Sequence, residues 1–375
     1  MIKIEKQDEF CVRGRVLMKV LRNLNIIIRP VNDRCNLNCK YCITKDRYSR
    51  DTMLRETLKI ETFQKLINDI KDLHLQNVRF TWHGGEPLLM PNSFYKNVFA
   101  LQSGLNGIEY TTTLQTNGTL MDEERLLFFK ENGVAVGFSL DGCKYSHNSY
   151  RFPNQAQFEA VLDNIRLAKK LGVRFSIIMV AHEKNVRDVA ELCDFIDELD
   201  PPNGFTINPL FLGEGKMAGL SLKQEEFSKF LFALYDNRKG RQVFPGSYIY
   251  AAEKGLNKAV PKLCFFSGRC ANFVSMNGSG DMFSTCYENS SYYLGNINTT
   301  SLSELLKVHL VRHETKIDPQ FKNKSIYREM GSDPSLVYFQ GKGCTKRLLN
   351  GMDPYFRSYI ELIEYVKKQS EKTKS

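Results

Sequence analysis

Long apolar runs are missing from this 375-residue chain. No window approaches the roughly twenty uncharged apolar residues that a helix needs to cross a bilayer. Met1 to Phe10 mixes lysine, glutamate and aspartate at the position where a signal peptide would be apolar. Internal repeats and low-complexity stretches are also missing, which excludes solenoid and compositionally disordered proteins. We therefore expect a globular, cytoplasmic protein with no membrane partner.

Signatures of nucleic-acid recognition are missing too. The formal net charge is +10, but the basic residues are spread along the chain, and no helix-turn-helix, zinc-finger or RNA-binding motif accompanies them. A solvated basic surface explains this distribution. The functional alternative is attraction to an acidic protein or to the leader segment of a peptide. We expect no nucleic-acid partner.

Cysteine is abundant, with ten residues. Thiols stay reduced in the cytoplasm, so a disulfide framework is not expected. Cys11, Cys143 and Cys193 stand apart in the sequence and are most simply small buried hydrophobic residues. The other seven form two groups, and such grouping points to metal or cluster ligation.

Strand-like and helix-like segments alternate along the first half of the chain. Leu24 to Pro30 is a short apolar run typical of a strand, and the apolar residues from Phe63 to Leu73 recur at helical spacing. Six strands alternating with helices imply a parallel sheet, either open and doubly wound or part of a barrel, with ligand-binding loops at the carboxyl ends of the strands. The other predicted strands are Val78–Trp82, Ile108–Leu114, Ala135–Leu140, Val173–Val180 and Gly204–Asn208, and the other predicted helices are Asp122–Asn132, Phe158–Leu171 and Val186–Leu199.

The pattern changes from Gly213 onwards. A helix is predicted at Gln224–Tyr235, and a loop-rich region that contains the second cysteine group follows it. Cys270 to Cys286 has glycines at its centre and is predicted to be a β-hairpin. A last amphipathic helix at Tyr355–Gln369 is expected to pack back on the first module. This organisation indicates a second module built around a metal site rather than a large apolar core.

The first cysteine group, Cys35-x3-Cys39-x2-Cys42, comes directly after the first predicted strand. A structural zinc site uses four closed ligands, whereas a cubane cluster held by three cysteines leaves one iron open to a ligand. The spacing recruits no histidine as a fourth ligand. A [4Fe-4S] cluster is therefore the main interpretation, and a zinc site is the alternative.

This loop, with the aromatic Tyr41 before its last cysteine, resembles the defining motif of the radical S-adenosylmethionine (radical SAM) superfamily. Gly84-Gly85-Glu86-Pro87 resembles the element whose backbone meets the methionine amino group of the cofactor. The segments at the ends of the third and fourth predicted strands resemble further elements of the family. Leu210 follows the sixth predicted strand. The resemblance implies cofactor-binding roles for Tyr41, Gly84, Gly85, Glu86, Asn117, Ser139 and Arg151. Leu210 is a candidate for packing on the adenine of the cofactor, and core packing is the alternative.

The resemblance also implies a fold and a chemistry. The fold is α/β, a partial (β/α)6 TIM-like barrel with a C-terminal cysteine-rich auxiliary-cluster domain. The cluster on Cys35, Cys39 and Cys42 would cleave S-adenosylmethionine reductively to a 5'-deoxyadenosyl radical that abstracts hydrogen from the substrate. A flavodoxin- or ferredoxin-type protein would supply the electron.

The second cysteine group, Cys264, Cys270, Cys286 and Cys344, resembles the SPASM extension of radical enzymes that modify peptides and proteins, especially anaerobic sulfatase-maturing enzymes. It has too few cysteines for two auxiliary clusters, so one auxiliary [4Fe-4S] cluster is predicted, and a four-cysteine zinc site is the alternative. The predicted divisions are an N-terminal segment (1–23), a radical SAM barrel (24–215), a bridging helical region (216–259), a SPASM or twitch-like domain (260–350) and a C-terminal helix (351–375).

One departure from the sulfatase-maturing pattern concerns the catalytic base. Those relatives have an aspartate after the third auxiliary cysteine, whereas this chain has Tyr287 followed by Glu288. A tyrosine, with an ordinary pKa of about 10, is a poor base near neutral pH. The sequence therefore favours maturation of a ribosomally made peptide, for example by side-chain cross-linking, with Tyr287 and Glu288 as candidate catalytic residues. Formylglycine formation in a sulfatase is the second hypothesis, and a non-catalytic iron-sulfur or zinc scaffold is the third.

Overall fold

The computed structural model describes residues 18, 21–42, 56–210, 220–238, 272–284, 292–313 and 354–372. These residues divide into two compact units. The first unit takes the described residues that fall within Met1–Cys35, Thr44–Gln115 and Arg269–Ile317, and the second takes those within Asn36–Ile43, Thr116–Gly268 and Asp318–Ser375. The five predicted domain divisions stay a prediction.

Strands and helices alternate along most of the described chain. A short 3-10 helix, Pro87–Leu89, lies between β2 and α2. The strands are β1 (Asn23–Arg29), β2 (Asn77–Trp82), β3 (Glu109–Thr116), β4 (Ala135–Ser139), β5 (Phe175–Ala181), β6 (Phe205–Pro209), β7 (Phe273–Asn277), β8 (Asp281–Phe283) and β9 (Tyr293–Asn296). The helices are α1 (Ile60–Lys71), α2 (Asn92–Gln102), α3 (Glu123–Glu131), α4 (Tyr145–Asn148), α5 (Gln155–Lys170), α6 (Val189–Leu199), α7 (Gln224–Asp236), α8 (Leu302–His313) and α9 (Pro354–Lys372).

The first unit is built on a sheet in which β1 occupies a central position. It pairs in parallel with β2 on one side and with β7 on the other. Strand β2 pairs in parallel with β3, while β8 and β9 continue the sheet beyond β7 in antiparallel pairs. Because parallel neighbours end at the same edge, the segments that follow β1, β2 and β7 all start from one edge of this sheet.

Aromatic packing forms the core of the first unit. The indole of Trp82, at the end of β2, is fully buried. Its ring lies 5.4 Å from that of Phe63 on α1, and 5.9 and 5.5 Å from those of Phe94 and Tyr95 on α2. The predicted apolar stripe of α1 is buried as expected, except for Leu73, which lies beyond the end of the helix and is half-buried.

The second unit contains the parallel strands β4, β5 and β6. Asn154 is the N-cap of helix α5, and its side chain accepts a hydrogen bond from the Gln157 amide. Helices α7 and α9 pack on one another, with the rings of Phe232 and Tyr365 stacked at 4.4 Å. The buried face of α5 is the one predicted from the sequence: Phe158, Val161, Leu162, Ile165 and Ala168.

The structure confirms the α/β class and the parallel strands, and it corrects some details. Strand β5 and helix α6 begin at Phe175 and Val189, later than predicted. Helix α2 was not predicted, although its buried residues have helical spacing. Cys193 is buried as expected, but the prediction for Cys143 was wrong because it is only half-buried. None of the described helices is both long and apolar enough to cross a membrane.

Candidate functional site

The first cysteine group lies in the irregular segment that follows β1. Cys35 is exposed, while Cys39 and Cys42 are half-buried. The Cys42 amide donates to the Cys39 carbonyl at 3.3 Å, so the last part of the loop is a tight turn. Among the described residues, no three His, Cys, Asp or Glu side chains converge as ligands of a single metal ion do. A cubane cluster instead places its cysteine sulfurs on separate iron atoms.

The turn after β2 lies against the segment that leads into this loop. The Gly85 amide donates to the Asn32 carbonyl at 2.9 Å, and the Glu86 amide donates to the Arg34 carbonyl at 2.8 Å. Glycine is required at both positions of this turn because the neighbouring backbone comes too close to leave room for a side chain. A Cβ on Gly84 would lie 2.7 Å from the Asn32 oxygen, and one on Gly85 would overlap the Arg34 carbonyl. The predicted Gly-Gly-Glu-Pro element therefore forms a backbone cradle in the first unit, directly beside the approach to Cys35.

Glu86 has a structural role in this turn. Its side chain is fully buried, and Oε1 accepts a hydrogen bond from the Leu88 amide at 3.0 Å. It thereby caps the short 3-10 helix, and the Tyr95 hydroxyl holds the same helix by donating to the Pro87 carbonyl at 2.9 Å. The cofactor-binding role implied for Glu86 stays a prediction.

In the second unit, three buried side chains connect the cysteine loop to the end of β4. The Tyr41 hydroxyl donates to Asp141 Oδ2. Arg151 donates from Nε to Oδ2 at 3.1 Å and from Nη2 to Oδ1 at 2.9 Å. The Arg151 guanidinium also lies over the Tyr41 ring, 5.5 Å from its centroid. Such a bidentate, charge-assisted pair holds both partners in one geometry.

Asp141 is the centre of this network. The residue is fully buried, and the Val180 amide donates to Oδ1 at 2.9 Å. Its own backbone is held on both sides. Its amide donates to the Asn148 side chain at 2.8 Å, and its carbonyl accepts from the Asn185 side chain at 2.8 Å. The sequence motif contained Asp141, but it was not predicted to be a site residue. The available signal was an acidic residue two positions after the end of a buried strand.

Burial and the Asp141 charge fix the protonation states in this network. Burial raises the pKa of Tyr41 well above its usual value, and the Asp141 carboxylate raises it further, against the opposing charge of Arg151. Burial works to lower the pKa of Arg151, but the charge of Asp141, the neighbouring Tyr41 and Cys39 and the hydrogen bond to Asp141 together outweigh it, so the net shift is upward. Tyr41 is therefore a neutral phenol and Arg151 a cation at neutral pH.

Asn117 holds the start of the loop in the second unit. Its Nδ2 donates to Asn36 Oδ1 at 2.9 Å, and Asn36 in turn donates to the Thr119 hydroxyl at 2.7 Å. The turn depends on Gly118, whose φ is +79° and where a Cβ would lie 2.9 Å from the Val161 side chain. An asparagine-glycine turn at the end of β3 is thus fastened to the residue that follows Cys35.

Leu210 and Ser139 lie at strand ends, as predicted. Leu210 is buried with Tyr41 and Tyr150 in a small apolar cluster, and Cys39 packs against that cluster. Ser139 is half-buried at the end of β4, in register with Ile178 of β5. The second unit therefore brings Arg151 and Leu210 together with Tyr41 and Cys39 of the cysteine loop. The second cysteine group, Cys264, Cys270, Cys286 and Cys344, lies outside the described residues, as do Tyr287 and Glu288.

A cysteine, a histidine and an aspartate meet near α4, but they do not form an activated nucleophile. Cys143 Sγ lies 3.7 Å from His147 Nδ1, and His147 Nε2 lies 2.9 Å from Asp188 Oδ2. Burial, together with nearby Glu191, raises the pKa of Cys143 to about 12. The thiol therefore stays protonated at neutral pH, unlike a catalytic thiolate.

Comparison with known proteins agrees with this geometry. Residues 30–196 match the Radical SAM superfamily. The chain is 29% identical over 310 residues to a serine-type anaerobic sulfatase-maturating enzyme of Bacteroides thetaiotaomicron, covering 76% of this chain and 74% of that protein. Because the match is longer than the 30–196 region, the similarity extends into the rest of the chain.

Solved structures show the same fold. Native anSMEcpe with bound AdoMet superimposes with a TM-score of 0.75 at 25% identity, covering 92% of this chain and 97% of that one. Streptococcus suis SuiB bound to the precursor peptide SuiA gives a TM-score of 0.62 at 15% identity, covering 94% of this chain and 78% of that one. The thiol-rich loop and the glycine cradle also suit a [4Fe-4S] cluster and S-adenosylmethionine, the cofactors of this family. Residues 30–196 therefore form a radical SAM domain.

Proposed function

We propose that this enzyme abstracts a hydrogen atom from a residue of a peptide or protein substrate and leaves that residue oxidised. The observation that carries the proposal is the extent of the similarity. It covers 76% of the chain for a sulfatase-maturating enzyme, well beyond residues 30–196. Radical generation needs only the radical SAM domain, so similarity outside it supports a related class of substrate.

Cys35, Cys39 and Cys42 would hold the [4Fe-4S] cluster, and the cradle at Gly84 and Gly85 would receive S-adenosylmethionine. When bound, these groups would supply a 5'-deoxyadenosyl radical. The donor set fits, because three thiols come from one short loop and the cradle has no room for a side chain beside the approach to Cys35.

The other residues of the site position groups and exclude water. Asp141 holds the Tyr41 hydroxyl and the Arg151 guanidinium together, which fixes the turn between Cys39 and Cys42. Leu210 and Tyr150 cover the same turn with apolar surface. A dry, preorganised wall protects a reactive radical from side reactions. In this proposal Arg151 acts first as the partner of Asp141, because two of its three guanidinium nitrogens already donate to that carboxylate.

Two specific reactions fall within the proposal. Formylglycine formation from cysteine or serine is supported by the sulfatase-maturating relatives. Oxidative maturation of a ribosomally made peptide, such as a side-chain cross-link that uses a leader segment, is supported by Tyr287, which occupies the position of the expected aspartate. In either case one auxiliary [4Fe-4S] cluster on Cys264, Cys270, Cys286 and Cys344 would accept the surplus electron, and Glu288 would be the alternative base.

The electron donor in this proposal is an acidic flavodoxin- or ferredoxin-type protein. Lys40, inside the cysteine loop, and Lys184 are both exposed, and their ammonium groups lie 5.4 and 4.3 Å from the centroid of the Tyr150 ring. Two cations beside the loop would attract an acidic partner to the point where the electron must enter.

The test is an anaerobic assay of the reconstituted, full-length protein with dithionite and S-adenosylmethionine. We expect 5'-deoxyadenosine, and its absence from a fully loaded protein would refute the enzymatic proposal. A sulfatase-derived peptide and any short precursor peptide encoded beside the gene are then compared as substrates. An aldehyde that reacts with a hydrazide probe supports formylglycine formation. Loss of two hydrogens without an aldehyde supports a cross-link.

A further inference from the structure

Asn32 has an unusual backbone conformation for a residue that is not glycine. Its φ is +56°, and the residue is 2% exposed. Among the described residues, only Asp200 shares a positive φ without being glycine. Asparagine tolerates this region better than most residues, but it still carries a conformational cost. A buried residue held in such a conformation indicates that its contacts compensate for the cost.

Asn32 contacts three separate segments of the first unit. Its carbonyl accepts from the Gly85 amide of the glycine cradle at 2.9 Å. Its Nδ2 donates to the Glu56 carbonyl at 2.9 Å, and its Oδ1 accepts from the Gly278 amide at 2.6 Å. The Leu58 amide adds a neighbouring bond to the Pro30 carbonyl at 2.7 Å. One side chain thus closes the base of the segment from 30 to 58 and also holds a chain segment far away in the sequence.

That distant segment is the tip of the hairpin formed by β7 and β8. Strand β7 lies parallel to β1, with Arg29 opposite Asn277, so the hairpin tip reaches the edge at which the approach to Cys35 begins. Asn277 builds the tip by accepting from the amides of Ser279 and Asp281 at 3.1 and 2.9 Å. The fit is close, because a Cβ on Gly278 would lie 3.0 Å from the Glu56 carbonyl and 3.1 Å from Asn32 Oδ1.

We infer that Asn32 is a positioning residue that couples the β7–β8 hairpin to the approach to the cysteine loop. In the sequence this hairpin lies between Cys270 and Cys286, two predicted auxiliary-cluster ligands. Movement of the hairpin tip would be transmitted to the Asn32 backbone, and through it to the cradle at Gly85. Such a coupling is reciprocal, so a disturbance at either end should be detectable at the other. The inference does not depend on which peptide the enzyme modifies.

Three variants separate the contacts of Asn32. Asn32→Gly keeps the backbone conformation and removes both side-chain hydrogen bonds. Asn32→Asp keeps an acceptor for the Gly278 amide but cannot donate to Glu56. Gly278→Ala places the change on the hairpin tip, where the added methyl presses on Asn32 Oδ1 and on the carbonyls of Glu56 and Pro30. The matched control is Asp200→Gly, which relieves the same type of backbone strain at an exposed position.

The first measurement is hydrogen exchange of the full-length protein, followed by mass spectrometry. In Asn32→Gly we expect exchange in the peptide covering 272–284 to be about fivefold faster, the factor that one typical buried hydrogen bond represents. In Asn32→Asp the faster exchange should instead appear at 56–60. Asp200→Gly should change neither region. If the peptide covering 272–284 exchanges at the wild-type rate in Asn32→Gly, the stabilising contact between Asn32 and the hairpin is refuted.

The second measurement tests transmission. Added S-adenosylmethionine should shift the electron paramagnetic resonance spectrum of the reduced cluster. We expect both Asn32→Gly and Gly278→Ala to change that shift. Asp200→Gly should retain the wild-type shift. A Gly278→Ala protein with faster hairpin exchange but an unchanged spectral shift would refute the coupling. Both measurements are made without a peptide, so a wrong assignment of the substrate would leave them unaffected.

Discussion

Replacing Asp141 should damage the site and the fold together, by an amount that follows from its contacts. The carboxylate is fully buried and accepts from the Tyr41 hydroxyl, two Arg151 nitrogens and the Val180 amide. Asp141→Ala would leave Arg151, whose side chain is only 9% exposed, as an uncompensated buried charge. Breaking a buried pair in this way costs roughly 3–5 kcal/mol. At about 2–4 °C per kcal/mol for a domain of 150–250 residues, the melting temperature should fall by roughly 6–20 °C.

Matched variants separate charge from hydrogen bonding. Tyr41→Phe removes one donor and leaves the Arg151 pair intact, so it should cost only about 1–3 kcal/mol. The double variant Asp141→Leu with Arg151→Met removes both buried charges and should recover most of the lost stability. It should nevertheless leave the turn between Cys39 and Cys42 without its anchor.

The assay combines thermal unfolding, monitored by circular dichroism, with iron content and the cluster spectrum of the anaerobically reconstituted protein. We expect Asp141→Ala to lose stability and cluster. The double variant should regain stability and still show a perturbed spectrum. An Asp141→Ala melting temperature within 2 °C of wild type would refute the buried-pair reasoning, and a wild-type spectrum in the stable double variant would refute the positioning role.

Three further predictions concern the cradle, the phenol and the basic pair. Gly85→Ala should lower cluster occupancy and destabilise the fold by about 1–3 kcal/mol through overpacking. Gly107→Ala has nothing within 4 Å of the added Cβ but a φ of +79°, so it should cost some stability through backbone strain and still retain full iron content. Equal losses of iron in the two variants would contradict the cradle. The raised pKa of Tyr41 means that the folded state resists loss of its proton, so its stabilising contribution is intact below pH 10 and falls as the pH rises above it. Chemical unfolding of the apoprotein should show a free energy of unfolding that falls as the pH rises through that range. In Tyr41→Phe this fall should be smaller by up to about 1.4 kcal/mol per pH unit. An identical pH dependence in the two proteins would count against the buried phenol. Charge reversal of Lys40 and Lys184 should raise the KM for a flavodoxin-type donor, most strongly at low salt, while dithionite-driven cleavage stays unchanged; loss of both activities would point to a damaged loop instead.

The sequence predicted the elements whose signals are local. The stripe from Phe158 to Ala168 and the apolar run that became β1 follow the helical and strand periods. The glycines of the cradle were found through the resemblance of Gly84-Gly85-Glu86-Pro87 to a radical SAM element, and the structure explains them by the close approach of the neighbouring backbone.

The parts that were missed depend on contacts between distant residues. Nothing near Asn32 in the sequence signals a left-handed conformation, because the conformation depends on Glu56, Gly85 and Gly278. Asp141 was part of a recognised motif, but its role appears only when Tyr41 and Arg151 are folded against it. The β7–β8 hairpin was predicted, whereas its pairing with β1 was not, since strand periodicity does not specify a partner.

The pairing of β7 with β1 also has a consequence for biosynthesis. The Asn25 side chain donates to the Asn272 carbonyl across 247 positions of the sequence. At a translation rate of about 5–20 residues per second, roughly 12–50 seconds separate the emergence of these two segments from the ribosome. During that interval one side of the isoleucine-rich β1 is an open strand edge, the kind of surface that recruits other chains. A radical SAM domain produced without residues 272–284 would keep that edge permanently, and we expect it to aggregate where the full chain stays in solution.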